Sequence, residues 1–139
     1  MIEGSCLCGG VRYRAERVAG PMANCHCRMC RKAHGAAFST ILPVGSDGFR
    51  WLAGEELLRH FESSPGKRRW FCGTCGSQLV STRDGNDDQV LLRAGCIDRG
   101  YDAQPVAHGW VEFMAPWHRI TDDLPQFGRG FPGAPPGVE

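Results

Sequence analysis

The chain of 139 residues lacks the features of membrane-spanning, secreted and nucleic-acid-binding proteins. No apolar run approaches the roughly 18 residues that a membrane-crossing helix needs. The formal net charge of +1 gives no electrostatic basis for binding nucleic acid or an anionic membrane. The first residues lack the basic and apolar regions of a signal peptide. We therefore expect a cytoplasmic globular protein without nucleic-acid or membrane partners, and its oligomeric state is left unpredicted.

The sequence also lacks internal repeats, heptads and long amphipathic segments. Short runs rich in β-branched and apolar residues alternate instead with turns that contain many of the 19 glycines and 9 prolines. This pattern predicts a mostly-β domain with its cysteines on loops at strand ends. We expect the domain to cover residues 1–127 and a flexible Gly/Pro-rich tail to follow over 128–139. The predicted strands are 11–16, 37–44, 49–52, 57–61, 67–71, 78–82, 89–94 and 108–113.

Cysteine is the residue type that stands out. Seven of the eight cysteines fall in three tight clusters, at 6–8, 25–30 and 72–75. In a reducing compartment such spacing is more often metal-binding or catalytic than disulfide-bonded. Seven ligands divide into four, which close a tetrahedral zinc site, and three, which leave one coordination position open for chemistry. The sequence therefore predicts one structural site and one reactive site.

The spacing also suggests which cysteines share an ion. The pairs Cys6–Cys8 and Cys72–Cys75 are each followed by a glycine, which permits a positive φ and lets backbone N–H groups approach sulfur. Two such turns can form one four-thiolate zinc site that closes a long loop and stabilises the fold. The cysteines left for a second, open zinc site are Cys25, Cys27 and Cys30. The alternative is a closed second site, in which a fourth protein ligand completes the set. The candidates for that ligand are His26, His34 and Cys96.

Several single residues allow two interpretations. Cys96 stands alone in an apolar run, and we expect it to be a small core residue. The basic run Lys67–Arg69 can hold a substrate carboxylate, but a solvated strand edge is the favoured interpretation. The residues after the second cluster can orient an anionic substrate or stabilise a developing alkoxide, or they can be solvated charges. These residues are Arg31, Lys32 and His34.

The order and spacing of the three clusters resemble the glutathione-dependent formaldehyde-activating enzyme family, which includes the centromere protein V type domain. The resemblance covers nearly the whole chain to about Phe127. The stretches that carry it are 4–11, 25–32, 69–77, 93–95, His108, 116–117 and 122–127.

The resemblance implies a β-tent fold, in which zinc holds small antiparallel sheets together. It implies two zinc ions per chain, of which the second can be labile. The structural zinc would be held by Cys6, Cys8, Cys72 and Cys75. The second, catalytic zinc would be held by Cys25, Cys27 and Cys30.

The implied activity is the condensation of glutathione with formaldehyde to S-hydroxymethylglutathione, a carbon–sulfur lyase reaction run in reverse. We therefore predict a zinc-dependent lyase that acts on an adduct of a small thiol such as glutathione. In this hypothesis zinc lowers the pKa of the thiol, and the thiolate attacks the aldehyde carbon. The alternatives are a non-catalytic zinc-binding module and a redox protein that uses the second cluster as free thiols.

Overall fold

The computed structural model describes residues 1–101 and 104–131. The chain divides into two compact units, the first formed by residues 1–20 with the described part of 42–103, the second by residues 21–41 with the described part of 104–139. Strands predominate, as the sequence predicts. The strands are β1 (Ile2–Ser5), β2 (Arg12–Ala15), β3 (Ala23–Cys25), β4 (Ser39–Gly45), β5 (Phe49–Ala53), β6 (Leu58–Ser64), β7 (Lys67–Cys72), β8 (Gln78–Arg83), β9 (Gln89–Arg93), β10 (Ile97–Arg99) and β11 (His108–Gly109).

The first unit contains an antiparallel four-stranded sheet in the order β10-β1-β2-β5. It also contains the hydrogen-bonded series formed by the end of β4 with β9, β8, β7 and β6. Alternation along β2 buries Tyr13 completely, and its ring packs against Phe49 and Trp51 at centroid distances of 5.6 and 6.2 Å. Leu79 and Leu92 are also fully buried. This core holds the strand ends from which the first and third cysteine clusters extend.

In the second unit, β3 pairs in parallel with β11 and antiparallel with the beginning of β4. A helix, α1 (Arg28–His34), follows β3 and ends at Gly35, whose φ of 59° lies in the left-handed region. The segment from Pro125 to Phe127 runs beside β11, because His108 N–H donates to Pro125 O and Phe127 N–H donates to His108 O. Among the described residues, no helix combines the length and apolar character that crossing a membrane requires.

Up to β9 the predicted strands are confirmed within one or two residues, except that β6 extends three residues beyond the predicted end at 61. The prediction for 108–113 is only partly right. The run 108–113 forms a strand only at His108–Gly109; Trp110 then has a φ of 58°, and residues Val111–Phe113 form a 3₁₀ turn. The helix α1 was not predicted, because seven residues between a metal-type motif and a glycine carry no helical periodicity.

The prediction of a solvated edge at residues 67–69 is wrong. The strand β7 lies between β6 and β8, so it is no edge. Lys67 is 2% exposed and Arg69 is 3% exposed, and Arg69 Nε donates to Ser63 Oγ at 2.8 Å. Alternation along β7 turns both side chains inward, which leaves neither available as a solvated charge.

The predicted tail is described as far as Phe131. Gly128 O accepts a hydrogen bond from Glu112 N–H at 3.1 Å, and Arg129 forms a two-pronged ion pair with the Glu112 carboxylate at 2.7 and 2.9 Å. Gly128 and Arg129 therefore have partners in the second unit. Residues 132–139 lie outside the described residues, so a flexible tail there and a domain boundary at 127 stay predictions.

Candidate metal centres

The two glycine-terminated cysteine turns meet in the first unit. Their four sulfur atoms all lie within 4.8 Å of one another, and we call this group the four-sulfur site (Cys6, Cys8, Cys72 and Cys75). The Cys6 and Cys8 sulfurs are 3.5 Å apart, and the Cys8 and Cys72 sulfurs are 3.9 Å apart. Thiolates around a tetrahedral zinc, at about 2.3 Å from the metal, lie roughly 3.8 Å from each other. The donor set therefore fits a closed zinc site.

Local sequence explains both turns. Cys72 ends β7, and its carbonyl accepts a hydrogen bond from Gly76 N–H at 2.8 Å. Gly9 N–H donates in the same way to Cys6 O at 2.9 Å. Both glycines have a positive φ, of 80° and 75°, which a side chain would strain. Val11 N–H also donates to Cys6 Sγ at 3.2 Å, the backbone-to-sulfur contact that the glycine turn was predicted to allow.

Ser77 links the two turns and was not predicted as part of the site. Its Oγ accepts a hydrogen bond from Leu7 N–H at 2.9 Å and lies 3.3 Å from Cys75 Sγ. Its backbone carbonyl accepts a hydrogen bond from Cys72 N–H at 3.0 Å. A serine directly after a CxxCG turn was the available signal, but nothing in the spacing revealed that it would contact the residue at position 7.

Hydrogen bonding sets the acidity of the four-sulfur thiols. The Ser77 hydroxyl is the main cause that lowers the pKa of Cys75 to about 5. Burial raises the pKa of Cys72, but backbone N–H groups of Cys75 and Thr74 outweigh it and lower the pKa overall. For Cys8 a backbone hydrogen bond at Gly10 lowers the pKa, while the Cys6 sulfur and desolvation raise it to about 11. The site thus favours some thiolates by itself and suits a cation that stabilises the rest.

The second cluster forms a group of its own in the second unit. The sulfur atoms of Cys25, Cys27 and Cys30 lie within 4.8 Å of one another, and each residue is at most 3% exposed. We call this group the three-sulfur site. No other cysteine, histidine or acidic side chain of the described residues joins these sulfurs. A zinc held by three protein ligands would keep its fourth position for an exogenous ligand.

Strand and helix termini bring the three sulfurs together. Cys25 ends β3, and Cys27 precedes α1 in an extended conformation with φ −61° and ψ 154°. The Cys27 sulfur accepts a hydrogen bond from Cys30 N–H at 3.3 Å and thereby serves as the N-cap of the helix. Cys30 is the buried residue of α1. The helix that the sequence did not predict is thus what turns the third sulfur toward the other two.

The proposed fourth ligands lie elsewhere. His26 Nε2 is 2.8 Å from His108 Nδ1, and His108 Nε2 is 3.0 Å from Asp122 Oδ2. A polar chain therefore runs from two buried histidines to an exposed carboxylate. Burial and the charge of His108 lower the pKa of His26 to about 4. His34 is half-buried near the end of α1. Cys96, half-buried in the first unit, donates to Gln78 O at 3.2 Å.

Apolar and aromatic side chains surround the three-sulfur site. Trp110, 6% exposed, packs directly with the three cysteines, and Met29, Phe113 and Phe131 pack against this cluster. The Trp110 and Phe113 rings stack at a centroid distance of 6.1 Å. Sequence reasoning assigned no tryptophan to the site, because no spacing rule relates position 110 to the cysteine cluster.

The basic residues of α1 differ in their exposure to solvent and in their contacts. Arg31 is half-buried, and its Nη1 donates to Phe113 O at 2.8 Å, which fixes the guanidinium beside the aromatic side chains. Lys32 is exposed to solvent. Arg28, also exposed, places its guanidinium 4.4 Å from the Phe113 ring centroid. Positive charge therefore lies on the same helix that provides Cys30.

Close contact among buried thiols sets the pKa values of the three-sulfur site. The Cys27 and Cys30 sulfurs, together with burial, raise the pKa of Cys25 strongly. A hydrogen bond with Cys25 lowers the pKa of Cys27, but Cys30 and burial outweigh it and raise that pKa to about 11. Several thiolates can therefore be present here only with a cation among them. Soft thiolate donors select zinc and similar metals, so this donor set fits zinc.

Comparison with known proteins identifies the family of this chain. The family model for the glutathione-dependent formaldehyde-activating enzyme matches residues 1–113. A Halomonas elongata protein, provisionally named as such an enzyme, is 34% identical over 86 residues, which cover 57% of this chain and 54% of that protein. The chain thus spans about half the length of this relative.

A crystal structure of a Rhodobacter sphaeroides protein has the same fold, with a TM-score of 0.61 and 24% identity over 71% of this chain and 90% of that one. The matched family region contains all seven clustered cysteines and the tryptophan beside the three-sulfur site. The chain therefore belongs to the glutathione-dependent formaldehyde-activating enzyme family.

Proposed function

We propose that the protein is a zinc-dependent carbon–sulfur lyase of the type that joins glutathione and formaldehyde in S-hydroxymethylglutathione. The observation that carries this proposal is the unequal ligand count of the two sites. Four sulfurs complete a tetrahedral set, whereas the buried set of three leaves one position for a thiol or an aldehyde. Membership in the family supports the reaction class.

Each site has a distinct role in this proposal. The structural zinc would be held by Cys6, Cys8, Cys72 and Cys75, and the second zinc by Cys25, Cys27 and Cys30. A zinc ion bound at the three-sulfur site would supply Lewis acidity and lower the pKa of a coordinated thiol. Because these cysteines serve as ligands in the thiolate form, we place the protein in the reducing cytoplasm.

The reaction balances without an oxidant or a reductant. The sulfur of the thiol forms a bond to the carbonyl carbon of formaldehyde, the carbon–oxygen double bond becomes single, and the proton of the thiol ends on that oxygen. Arg31, anchored on Phe113 O, provides positive charge for the oxygen as it becomes negative. The exposed Lys32 attracts an anionic thiol such as glutathione. Trp110 and Phe131 limit the access of water to the sulfurs.

The test compares wild-type protein with Cys27→Ser, both purified without chelator. Serine is a preferred N-cap, so the variant keeps α1 while it removes one sulfur. We expect about two zinc ions per chain to fall to one. The catalysed exchange between glutathione, formaldehyde and their adduct, measured by NMR, should slow at least about 100-fold because several kcal/mol of metal assistance are lost.

Cys96→Ser is the matched control, because this cysteine belongs to neither site. It should keep both the zinc content and the turnover of the wild type. Wild-type protein that does not accelerate the exchange, or a Cys27→Ser variant with full turnover, contradicts the proposal. A variant that loses stability without any wild-type turnover favours a non-catalytic zinc module. A disulfide within the second cluster of zinc-free protein favours the redox alternative.

A further inference from the structure

The indole N–H of Trp110 is a buried hydrogen-bond donor beside the three-sulfur site, and it has no role in the reaction proposed above. The residue is 6% exposed and packs against the three cysteines. Its Nε1 atom is buried, and no acceptor within the described part of the chain reaches it. Buried polar groups in native proteins are nearly always hydrogen-bonded, so an exception needs an explanation such as an absent ligand.

The backbone of Trp110 provides a second, independent observation. Its φ of 58° and ψ of 35° lie in the left-handed region, and no other non-glycine residue in 1–101 or 104–131 has a positive φ. Bulky residues adopt this conformation rarely, and where the surrounding structure enforces it the position is commonly a ligand site. The flanking hydrogen bonds enforce it here: Val111 N–H donates to Phe127 O at 2.9 Å, and Phe113 N–H donates to Trp110 O at 3.1 Å.

The neighbours of the indole explain why it has no partner. The apolar side chains that pack on the cluster, Met29, Phe113 and Phe131, carry neither oxygen nor nitrogen. The cysteine sulfurs are weak hydrogen-bond acceptors, and a bound metal would engage their lone pairs. The indole N–H is therefore available to a strong acceptor on a molecule that enters the site.

We infer that Trp110 Nε1–H donates a hydrogen bond to an oxygen atom of the ligand at the three-sulfur site. Trp110 would thereby select thiols that carry a hydroxyl or carbonyl oxygen close to the sulfur. The inference deepens the proposed function, on which it rests, because the adduct of a thiol with an aldehyde carries its hydroxyl on the carbon bonded to sulfur. The indole would hold that oxygen in place while the carbon–sulfur bond forms or breaks.

The test uses zinc-loaded full-length protein with ¹⁵N-labelled tryptophan. The signal of the Trp110 indole is assigned with Trp110→Phe, or by elimination with single Phe variants of the other three tryptophans if that variant does not fold. Two small thiols of similar size, 2-mercaptoethanol and ethanethiol, are then titrated separately. We expect 2-mercaptoethanol, which carries a hydroxyl, to move the indole proton further downfield than ethanethiol does.

Two results overturn the inference. In the first, the two thiols are equivalent, so that both move the Trp110 signal by the same amount or neither moves it. Alternatively, zinc loading alone moves the signal and the hydroxyl adds nothing, which means that the indole serves a cysteine sulfur. The signal of Trp117, whose side chain is 71% exposed, is the internal control and should not respond to the hydroxyl.

Kinetics separate this inference from the proposed function. With the glutathione–formaldehyde adduct, Trp110→Phe should lower kcat/KM about 10- to 100-fold, since it removes one buried hydrogen bond and keeps an aromatic ring. Trp117→Phe should match the wild type. Wild-type protein without turnover, but with a hydroxyl-dependent indole shift, refutes the proposed function and leaves the donor role intact. Turnover that Trp110→Phe does not change refutes the donor role alone.

Discussion

The four-sulfur and three-sulfur sites use the same ligand type in opposite surroundings. In the four-sulfur site Cys8 is exposed and Cys75 half-exposed, and backbone N–H groups and Ser77 lie close to the sulfurs. In the three-sulfur site all the cysteines are buried among aromatic and apolar side chains. The first arrangement supplies a complete ligand set together with hydrogen bonds to it, whereas the second supplies an incomplete set and shields it.

The difference indicates how one chain can separate stability from chemistry. A metal bound by four sulfurs on two distant segments, residues 6–8 and 72–75, would cross-link the first unit and keep no position for a substrate. The three-sulfur site takes all its ligands from residues 25–30, so a metal there cross-links little of the chain. Burial of those three thiols instead favours reactivity, because charge in an apolar environment is stabilised mainly by the metal.

The largest expected effect is a loss of stability when the metal cross-link of the first unit is removed. Cys72→Ser should release the zinc of the four-sulfur site and lower the free energy of unfolding by more than about 4 kcal/mol, because metal binding there is coupled to folding. Cys27→Ser should lower it by less than half as much. Urea denaturation followed by circular dichroism, with zinc analysis of each sample, provides the comparison.

Cys96→Ser calibrates the cost of a cysteine-to-serine change outside both sites. Equal destabilisation by Cys72→Ser and Cys27→Ser would break the division into a structural and a reactive site. Retention of both zinc ions by Cys72→Ser would remove this cysteine from the ligand set.

Acidification should release zinc from the two sites at different pH values. Thiols bind metal in their deprotonated form, so protons compete most strongly where the pKa is raised. In the three-sulfur site the pKa of Cys27 is raised to about 11 and that of Cys25 is raised strongly. In the four-sulfur site the pKa of Cys8 is also raised to about 11, but those of Cys72 and Cys75 are lowered, the latter to about 5. As the pH falls from neutrality, zinc should leave the three-sulfur site first.

Zinc content after equilibrium dialysis at each pH measures this order in wild-type protein. Cys27→Ser should show only the later release, and the catalytic activity of the wild type should disappear with the earlier one. A single release step, or loss of the four-sulfur zinc at the higher pH, would show that hydrogen bonding to Cys75 does not govern the difference.

The smallest expected effect concerns the shielding of the three-sulfur site. Phe131 packs against the cysteine cluster, and its ring lies so close to the backbone of Gly109 that a Cβ there would meet it at 2.3 Å. Phe131→Ala should cost about 1 kcal/mol of stability, because the ring is only partly buried. It should also speed the transfer of the second zinc to a chelator.

Phe61→Ala is the matched control, since this phenylalanine of the first unit is 66% exposed. Stopped-flow measurement with a metal-binding dye resolves the two zinc ions by rate. If Phe131→Ala accelerates release from the four-sulfur site instead, or leaves both rates unchanged, the shielding role is wrong.

Much of the site was accessible to sequence reasoning. The 4 + 3 division of cysteines followed from short local spacing and from the glycines after Cys8 and Cys75, and the sulfur positions agree with it. Most strand positions up to residue 93 followed from alternation and turn residues, whereas β1 and β3 were not predicted. The burial of Lys67 and Arg69 was predicted wrongly, because a local basic run does not reveal that its strand has a neighbour on both sides.

The sequence by itself determined the candidate ligand groups, the mostly-β class and the family, because these depend on residue types and spacings within a few positions. Only the tertiary structure decided what surrounds the second set of sulfurs. Trp110 and Phe131 follow Cys30 by 80 residues or more, and they reach the site through parallel pairing of β11 with β3 and through the backbone hydrogen bonds of residues 125–128. Contacts between such distant residues depend on packing, which no local pattern encodes.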